Sequence, residues 1–317
     1  MMAKPGAKNL ITDVPGIKIG QAEDVSVRTG ATVILPDQPV VAAVCVAGGG
    51  PGTRETDLLA GGTLVDAVDA IVLAGGSAFG LAAADGVAAG LKKAGRGFSL
   101  IDLPSVPKSP IVPAAILYDL ANGGNKDWGD TSPYAALGRK AYDTASATFA
   151  LGRAGAGFGA AAGAHLGGTG SASIVTKEKI TIGALAAVNC YGSVYMPGTD
   201  AFWAWPYEID GEFGGARPPA EFAMDPEDWG AAKMNPGLGQ NTTIACIATD
   251  AILTPDQAKR VAQMALSGFS RAIRPVFAPF DGDAVFRTQC MQEERGHDRY
   301  EGCAGRLVTT DLYAICF

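Results

Sequence analysis

The sequence predicts a layered α/β or α+β fold. Strand-like runs alternate with helix-like ones, the strand runs are mixed in pattern, and apolar residues are plentiful enough to cover sheet faces. Of 317 residues, 48% are apolar and 18% charged, a balance that excludes disordered and fibrous chains and allows a substantial core. The 43 glycines follow no triplet period, so they point to tight turns and close backbone packing.

Taken in order, residues 16–20, 31–36 and 40–47 read as short strands separated by turns. A glycine-rich turn follows, Gly48-Gly49-Gly50-Pro51-Gly52, and the polar cluster Thr53-Arg54-Glu55-Thr56-Asp57 leads into a helix-compatible stretch. Residues 70–73 read as a buried strand. They run into Ala74-Gly75-Gly76-Ser77-Ala78-Phe79-Gly80 and then into residues 81–93, which are helical in composition. Strand, small-residue turn and helix in that order present backbone amides at a helix start. Residues 122–130 form a Gly- and Asp-rich loop, 134–149 a helix and 180–188 a strand, while 206–240 read as one long irregular connection. Residues 241–250 are a β-branched, apolar strand. Thr254-Pro255-Asp256-Gln257 then supplies an N-cap and a proline at the first helical position. Ala258, Val261, Ala262, Ala265, Leu266, Phe269, Ala272 and Ile273 continue at helical spacing until Pro275 stops the helix. No internal repeat is present.

Charge and motif chemistry exclude several functions. A formal net charge of −7 argues against nucleic acid as a partner. The charge-free residues 154–176 are mostly Gly, Ala and Ser, too weakly lipophilic for a membrane span, and the N-terminus lacks the apolar core of a secretory signal. A cytoplasmic location is expected. The six cysteines form no CxxC pair, so neither a zinc site nor a disulfide framework is expected, and Cys45, Cys190 and Cys246 sit in apolar runs as buried thiols. Only His165 and His297 could serve a histidine mechanism, and neither lies in a nucleophile or metal motif. Gly48 to Gly52 lacks the lysine of a P-loop, and Gly155-Ala156-Gly157-Phe158-Gly159 follows no clear strand and lacks the acidic partner of a dinucleotide fingerprint. No cofactor is expected.

Asn241-Thr242 is different. A hydroxyl at the start of a strand can attack the carbonyl before it if the backbone there is strained. Hydrolysis of the resulting ester frees the α-amine of Thr242, which can then act as general base for its own hydroxyl without any histidine. By itself Asn241-Thr242-Thr243 also fits a plain strand start, or a glycosylation sequon.

Several stretches, in order along nearly the whole chain, carry a resemblance. They are Ile11-Thr12-Asp13-Val14-Pro15-Gly16, Thr29-Gly30-Ala31-Thr32-Val33, the turn from Gly48 through Asp57, and Gly75-Gly76-Ser77-Ala78-Phe79-Gly80. Asn122-Gly123-Gly124-Asn125-Lys126-Asp127-Trp128, residues 167–173, residues 239–243 and Phe280-Asp281-Gly282-Asp283 complete the set. The chain resembles the DmpA-like β-aminopeptidase/D-aminopeptidase family, which includes the nylon-oligomer (6-aminohexanoate oligomer) hydrolases. The resemblance implies a four-layer αββα sandwich, shared with ornithine acetyltransferase, as one domain over residues 1–317. It also implies self-cleavage into residues 1–241 and 242–317, and an oligomer, typically a tetramer, of such pairs.

By position, the resemblance makes Thr242 the nucleophile and Asn189 the oxyanion-hole amide. Asp281 and Asp283 become the polar pair that holds the new ammonium and tunes proton transfer, with one carboxylate pKa raised by the other. As bare residues, Asn189 also suits a strand end, Asp281-Gly282-Asp283 a surface turn, and Lys126, a further candidate for charge near the site, a solvated loop. Ser77 and Phe79 match the stretch lining the family's pocket, with Phe79 standing where some relatives have tyrosine. After Phe286 the chain departs from the family's terminal helix. The expected activity is hydrolysis of short peptides or amide oligomers with a free amino end. An acyltransferase of the ornithine acetyltransferase type, a nucleotide-binding oxidoreductase and an unprocessed scaffold are the alternatives.

Overall fold

The computed structural model describes residues 3–101, 103–233 and 241–289. The chain opens with β1 (Lys4–Pro5), β2 (Ile17–Asp24), β3 (Thr29–Pro36), β4 (Ala42–Val46) and β5 (Thr53–Arg54). A strand-helix-strand unit follows, β6 (Ile71–Ala74), α1 (Ala83–Lys93) and β7 (Ala114–Ile116), and then α2 (Tyr134–Asp143). The middle of the chain forms β8 (Ala161–Ala162), β9 (His165–Leu166), β10 (Gly168–Val175) and β11 (Thr181–Asn189). A second strand-helix-strand unit comprises β12 (Thr242–Thr249), α3 (Pro255–Ala272) and β13 (Ala284–Gln289).

These strands make a six-stranded sheet, β1-β10-β11-β12-β13-β4, a five-stranded sheet, β2-β3-β6-β7-β5, and the small β8-β9 hairpin. Each large sheet contains one parallel pair, β12 with β13 and β6 with β7. A parallel pair needs a crossover, and α3 and α1 are those crossovers.

Side-chain alternation then builds the layers. Ile34 and Leu73 of the five-stranded sheet face Leu185, Ile244, Cys246 and Phe286 of the six-stranded sheet in one apolar core. The alternate residues Val33 and Val72 pack on Val87 and Leu91 of α1 and on Leu137 of α2. On the far side, Ala186, Ile247 and Val285 pack on Val261 and Phe269 of α3. The order is therefore helix, sheet, sheet, helix, the four-layer sandwich that the resemblance implies. Both faces of β12 are buried, which is why that strand reads as continuously apolar. Phe286 is fully buried between the sheets, so Phe286→Ala is expected to destabilise the protein by about 3–5 kcal/mol in denaturant melts, with no change of fold.

Where elements differ from expectation, the reasons are local. The helix expected over 134–149 stops at Asp143 because Ser146 is drawn into pairing with Ile19 of β2. The helix expected from residue 81 begins as a 3-10 turn at Ser77–Ala82. β10 is hidden by its Gly, Ser and Ala content, yet it pairs with β11 over its whole length. Within the expected connection, the described residues 206–233 hold a single 3-10 turn, Trp205–Tyr207, at their start. Arginines stack on its aromatics, with Arg217 5.3 Å from the Trp205 ring and Arg271 5.3 Å from the Tyr207 ring. The glycine pattern at Gly155–Gly157 is a buried 3-10 turn. Its amides are taken up by Glu23, Thr32 and Thr169, which leaves them none for a pyrophosphate. Among the described residues no helix is long and apolar enough to cross a membrane.

Candidate active site

Three chain segments meet at one end of the six-stranded sheet. Asn189, the last residue of β11, lies directly opposite Thr242, the first of β12. Asn241 in turn bridges Asp281 in parallel. Both Asn241 and Thr242 are buried, with Thr242 3% exposed.

The carbonyl between them is held by two donors. The Thr242 hydroxyl donates to the Asn241 carbonyl oxygen, and the Gly282 N–H donates to that same oxygen at 2.9 Å. Gly282 is packed so closely that a Cβ there would lie 2.5 Å from Thr242 Oγ1. A hydroxyl, a carbonyl and a backbone N–H donor are thus gathered around one peptide bond. The Asn241 side chain adds local cost, since its Oδ1 and Nδ2 are buried without hydrogen-bond partners among the described residues. Each such group costs about 1–3 kcal/mol.

The loop carrying Asp281, Gly282 and Asp283 is fixed by the first glycine-rich turn. Ala47 N–H donates to the Asp283 carbonyl at 2.9 Å and Gly50 N–H to the Asp281 carbonyl at 2.7 Å. A Cβ on Gly48 or Gly49 would lie within 2.3 Å of backbone oxygens of that loop, so only glycine lets the two backbones approach. This is the physical meaning of Gly48-Gly49-Gly50, which sequence alone could only exclude as a P-loop.

Both carboxylates are buried. Asp283 accepts from Thr243 N–H at 2.6 Å and from Phe277 N–H at 3.2 Å. Burial first, and the Asp281 charge second, push its pKa up to about 7 against the pull of those two N–H groups. Asp281 accepts from Ala278 N–H at 2.9 Å through Oδ2, while its Oδ1 is buried without a hydrogen-bond partner among the described residues. Burial raises its pKa as well, and Lys233 opposes that rise.

Asn189 is clamped at both ends of its amide. Its Oδ1 accepts from Ala161 N–H at 2.9 Å and its Nδ2 donates to the Tyr118 carbonyl at 3.0 Å. Tyr118 leads to a second polar group on the five-stranded sheet, centred on the buried Asp119. That carboxylate accepts from the Thr29 hydroxyl at 2.6 Å and the Gly76 N–H at 2.8 Å. Burial raises its pKa, and Lys126 is among the groups that oppose the rise.

The sequence-selected residues therefore fall into two sets. Thr242, Asn241, Asn189, Asp281 and Asp283 come together around the Asn241–Thr242 peptide bond. Ser77, Phe79 and Lys126 lie apart from that bond, Lys126 close enough to Asp119 to oppose its raised pKa, and Ser77 beside the Gly76 N–H that Asp119 accepts. Ser77 follows Gly76 in the left-handed region (φ 52°), Lys126 donates to the Val27 carbonyl, and the half-exposed Phe79 meets Trp128 edge-on at 5.5 Å. His165 is exposed beside Tyr195, remote in role from this chemistry. Cys190 and Cys246 are buried, and burial pushes the Cys190 thiol up to about 12, which makes it inert. Cys45 is only half-buried. The linker residues 234–240, His297 and the divergent tail beyond residue 289 lie outside the described residues.

Sequence reasoning missed Gly282, Asp119 and Lys233. Gly282 is signalled by its place between two acids, Asp119 by the glycine turn before α1. Lys233 carries no motif.

Comparison with known proteins follows the same lines. The model of peptidase family S58 matches residues 9–311. A Mycobacterium tuberculosis protein described as an uncharacterized aminopeptidase is 43% identical over 291 residues, covering 88% of this chain and 80% of that one. A 6-aminohexanoate-oligomer endohydrolase of Kocuria sp. is 31% identical over 289 residues, covering 89% and 75% respectively. Among solved structures, a Burkholderia sp. β-aminopeptidase gives a TM-score of 0.68 at 22% identity, over 100% of this chain and 87% of that one. The L-aminopeptidase D-Ala-esterase/amidase from Ochrobactrum anthropi, described as a prototype for the serine aminopeptidases and a variant of the Ntn hydrolase fold, gives 0.64 at 21% identity, over 99% and 87%. The two structural likenesses concern the fold.

Proposed function

The chain belongs to peptidase family S58, a family of amide-bond hydrolases, and we propose that it cuts itself before Thr242 and then uses that threonine as an N-terminal nucleophile on short peptides or amide oligomers. The observation that carries this reading is the Thr242 hydroxyl lying on the Asn241 carbonyl while Gly282 N–H donates to the same oxygen.

The chemistry runs in two stages. In the first, Thr242 Oγ attacks the Asn241 carbonyl carbon, and Gly282 N–H holds the developing oxyanion. The C–N bond breaks, its nitrogen takes the hydroxyl's proton, and water hydrolyses the ester to leave a carboxylate on Asn241. In the second, the freed α-amine takes the proton of the Thr242 hydroxyl as that oxygen attacks a substrate carbonyl. Asn189, held rigid by Ala161 and Tyr118, supplies the oxyanion donor for turnover, a contribution of about 3–4 kcal/mol in the transition state. Asp281 and Asp283 hold the new ammonium. With Thr242 only 3% exposed in the uncut chain, self-scission has to precede turnover.

The preference for a free amino end, and for amide oligomers like those in the Kocuria relative's name, rests on that likeness and on the acidic pair, which suits a substrate ammonium. The free thiols among the described cysteines fit a reducing cytoplasm. An oligomer of cut pairs is the assembly that goes with this reading. Intact-mass analysis tests it directly. Purified protein should give two polypeptides, residues 1–241 and 242–317, and Thr242→Ala a single inactive one. An active protein of one unbroken chain would falsify the reading.

A further inference from the structure

Asn189 can donate to an oxyanion only when its side-chain amide is turned the right way. Leu185 and Ala187 of β11 and Ile244 and Cys246 of β12 face the five-stranded sheet. Asn189 and Thr242 are in phase with them and directly opposite each other, so both side chains point between the sheets. There the amide meets two backbone groups. Its Oδ1 accepts from Ala161 N–H at 2.9 Å and its Nδ2 donates to the Tyr118 carbonyl at 3.0 Å. A half-turn of the amide would set oxygen against oxygen at Tyr118 and N–H against N–H at Ala161. The two contacts therefore select one orientation.

Tyr118 lies two residues past the end of β7, and Ala161 starts the two-residue β8, so no long ladder fixes either group. What both lean on is Asp119, which is 3% exposed. Its Oδ2 accepts from the Thr29 hydroxyl of β3 at 2.6 Å, and its Oδ1 from Gly76 N–H in the turn after β6 at 2.8 Å. These bonds tie residue 119, and the carbonyl just before it, to the five-stranded sheet. The chain leading to Ala161 rests on the same carboxylate. A Cβ on Gly159 would lie 2.7 Å from Asp119 Oδ2 and 2.7 Å from Asn122 Nδ2, and the Asn122 amide donates to the Gly159 carbonyl at 3.1 Å. Gly75 comes as near, since its Cβ would lie 2.1 Å from Asp119 Oδ2. Glycine at 75 and 159 makes room for this one side chain.

We propose that Asp119 is a positioning residue for turnover: by anchoring Tyr118 and the chain that leads to Ala161, it holds the Asn189 amide in the orientation that donates to the substrate's oxyanion. The role rests on the N-terminal-nucleophile reading above and goes beyond it by naming the residue behind the oxyanion donor. Self-scission draws on a different donor, the Gly282 N–H on the Asn241 carbonyl. The two reactions therefore separate this role from plain support of the fold. An oxyanion donor acts in the transition state, so its misplacement lowers kcat and leaves KM in place.

The test follows self-scission of newly made full-length chain on denaturing gels, and turnover of an aminoacyl p-nitroanilide and of a 6-aminohexanoate oligomer. Asp119→Ala should cut at the wild-type rate, while its kcat falls roughly tenfold to a hundredfold at unchanged KM. Asn189→Ala, which removes the donor itself, should lose more, on the order of a hundred- to a thousandfold. Added to Asn189→Ala, the Asp119→Ala change should lower kcat by less than about threefold further, because the amide it positions is gone. Asp119→Asn should stay within about threefold of the wild type, since it can accept from Gly76 N–H and donate to the Thr29 hydroxyl. Thermal melts check folding, and Thr29→Val, which removes one of the two donors, replaces the alanine variant if that one does not fold. A folded variant with wild-type kcat, or one whose scission slows as much as its turnover, overturns the role of Asp119. So do equal losses with and without the Asn189 side chain, and an asparagine variant as impaired as alanine. A wild-type chain that never cuts, or that cuts and hydrolyses neither substrate, overturns the reading beneath it.

Discussion

Gly282→Ala is expected to leave the chain in one piece, with self-scission slowed on the order of a thousand-fold. The reason is spatial. A Cβ at this position would lie 2.5 Å from Thr242 Oγ1, 3.3 Å from Thr242 Cγ2 and 2.9 Å from the Gly50 carbonyl oxygen. The Gly50 side cannot yield, because that turn is itself bonded to the Asp281 loop through Gly50 N–H. The threonine side must therefore move, and the hydroxyl leaves the carbonyl it has to attack. Displacing a reacting atom by about 1 Å costs roughly a hundredfold, and dragging the Gly282 N–H away from the developing oxyanion adds to it. Gly282 does not lie in the left-handed region, so alanine meets no backbone strain there and the fold should survive. Gly170→Ala on β10 is the control, since a Cβ there meets nothing within 4 Å. The measurement is a time course of fragment appearance beside a thermal melt. Wild-type scission in a folded Gly282→Ala chain would mean that the hydroxyl-carbonyl contact is not the reactive geometry.

How much of this is legible from sequence depends on the physical signal each part leaves. β12 and α3 are plain because a doubly buried central strand is continuously apolar, and because a proline-started helix shows its N-cap and its apolar spacing. β10 leaves no such trace, since its partners are satisfied by backbone pairing and small side chains. Thr242 is legible only through resemblance, because a strand-start threonine looks the same whether or not it is catalytic. The link from Asn189 to the Asp119 cluster could not be read at all. It depends on the two sheets facing each other, which brings the Tyr118 carbonyl to the Asn189 amide across a long separation in sequence. Lys233 is silent for the same reason, because its contacts with the Asn189 and Tyr191 carbonyls form only in the fold.

The buried acid Asp283 should make the uncut fold more stable at pH 5 than at pH 8. Its pKa is near 7 in the folded chain and near 3.9 when unfolded, so between those values the folded state binds the extra proton. Stability carried by a raised pKa is fully present below the unfolded value and is lost as pH rises through the folded one. From pH 5 to pH 8 the loss from this group is on the order of 2–3 kcal/mol. Other acids titrate too, so the quantity to measure is a difference between variants. Urea melts of Thr242→Ala, which stays uncut, should show the fall in stability, and Thr242→Ala combined with Asp283→Asn should show a fall smaller by that amount. Equal pH dependence in the two would remove Asp283 as its source. Scission should blunt the same dependence in the wild-type sequence. A free α-ammonium at Thr242, next to the residue whose N–H Asp283 accepts, lowers the carboxylate's pKa toward its unfolded value. On the proposed reading, scission would supply the counter-charge that Asp283 lacks in the uncut chain, so the acid that costs the uncut chain stability would become the one that holds the new ammonium in place.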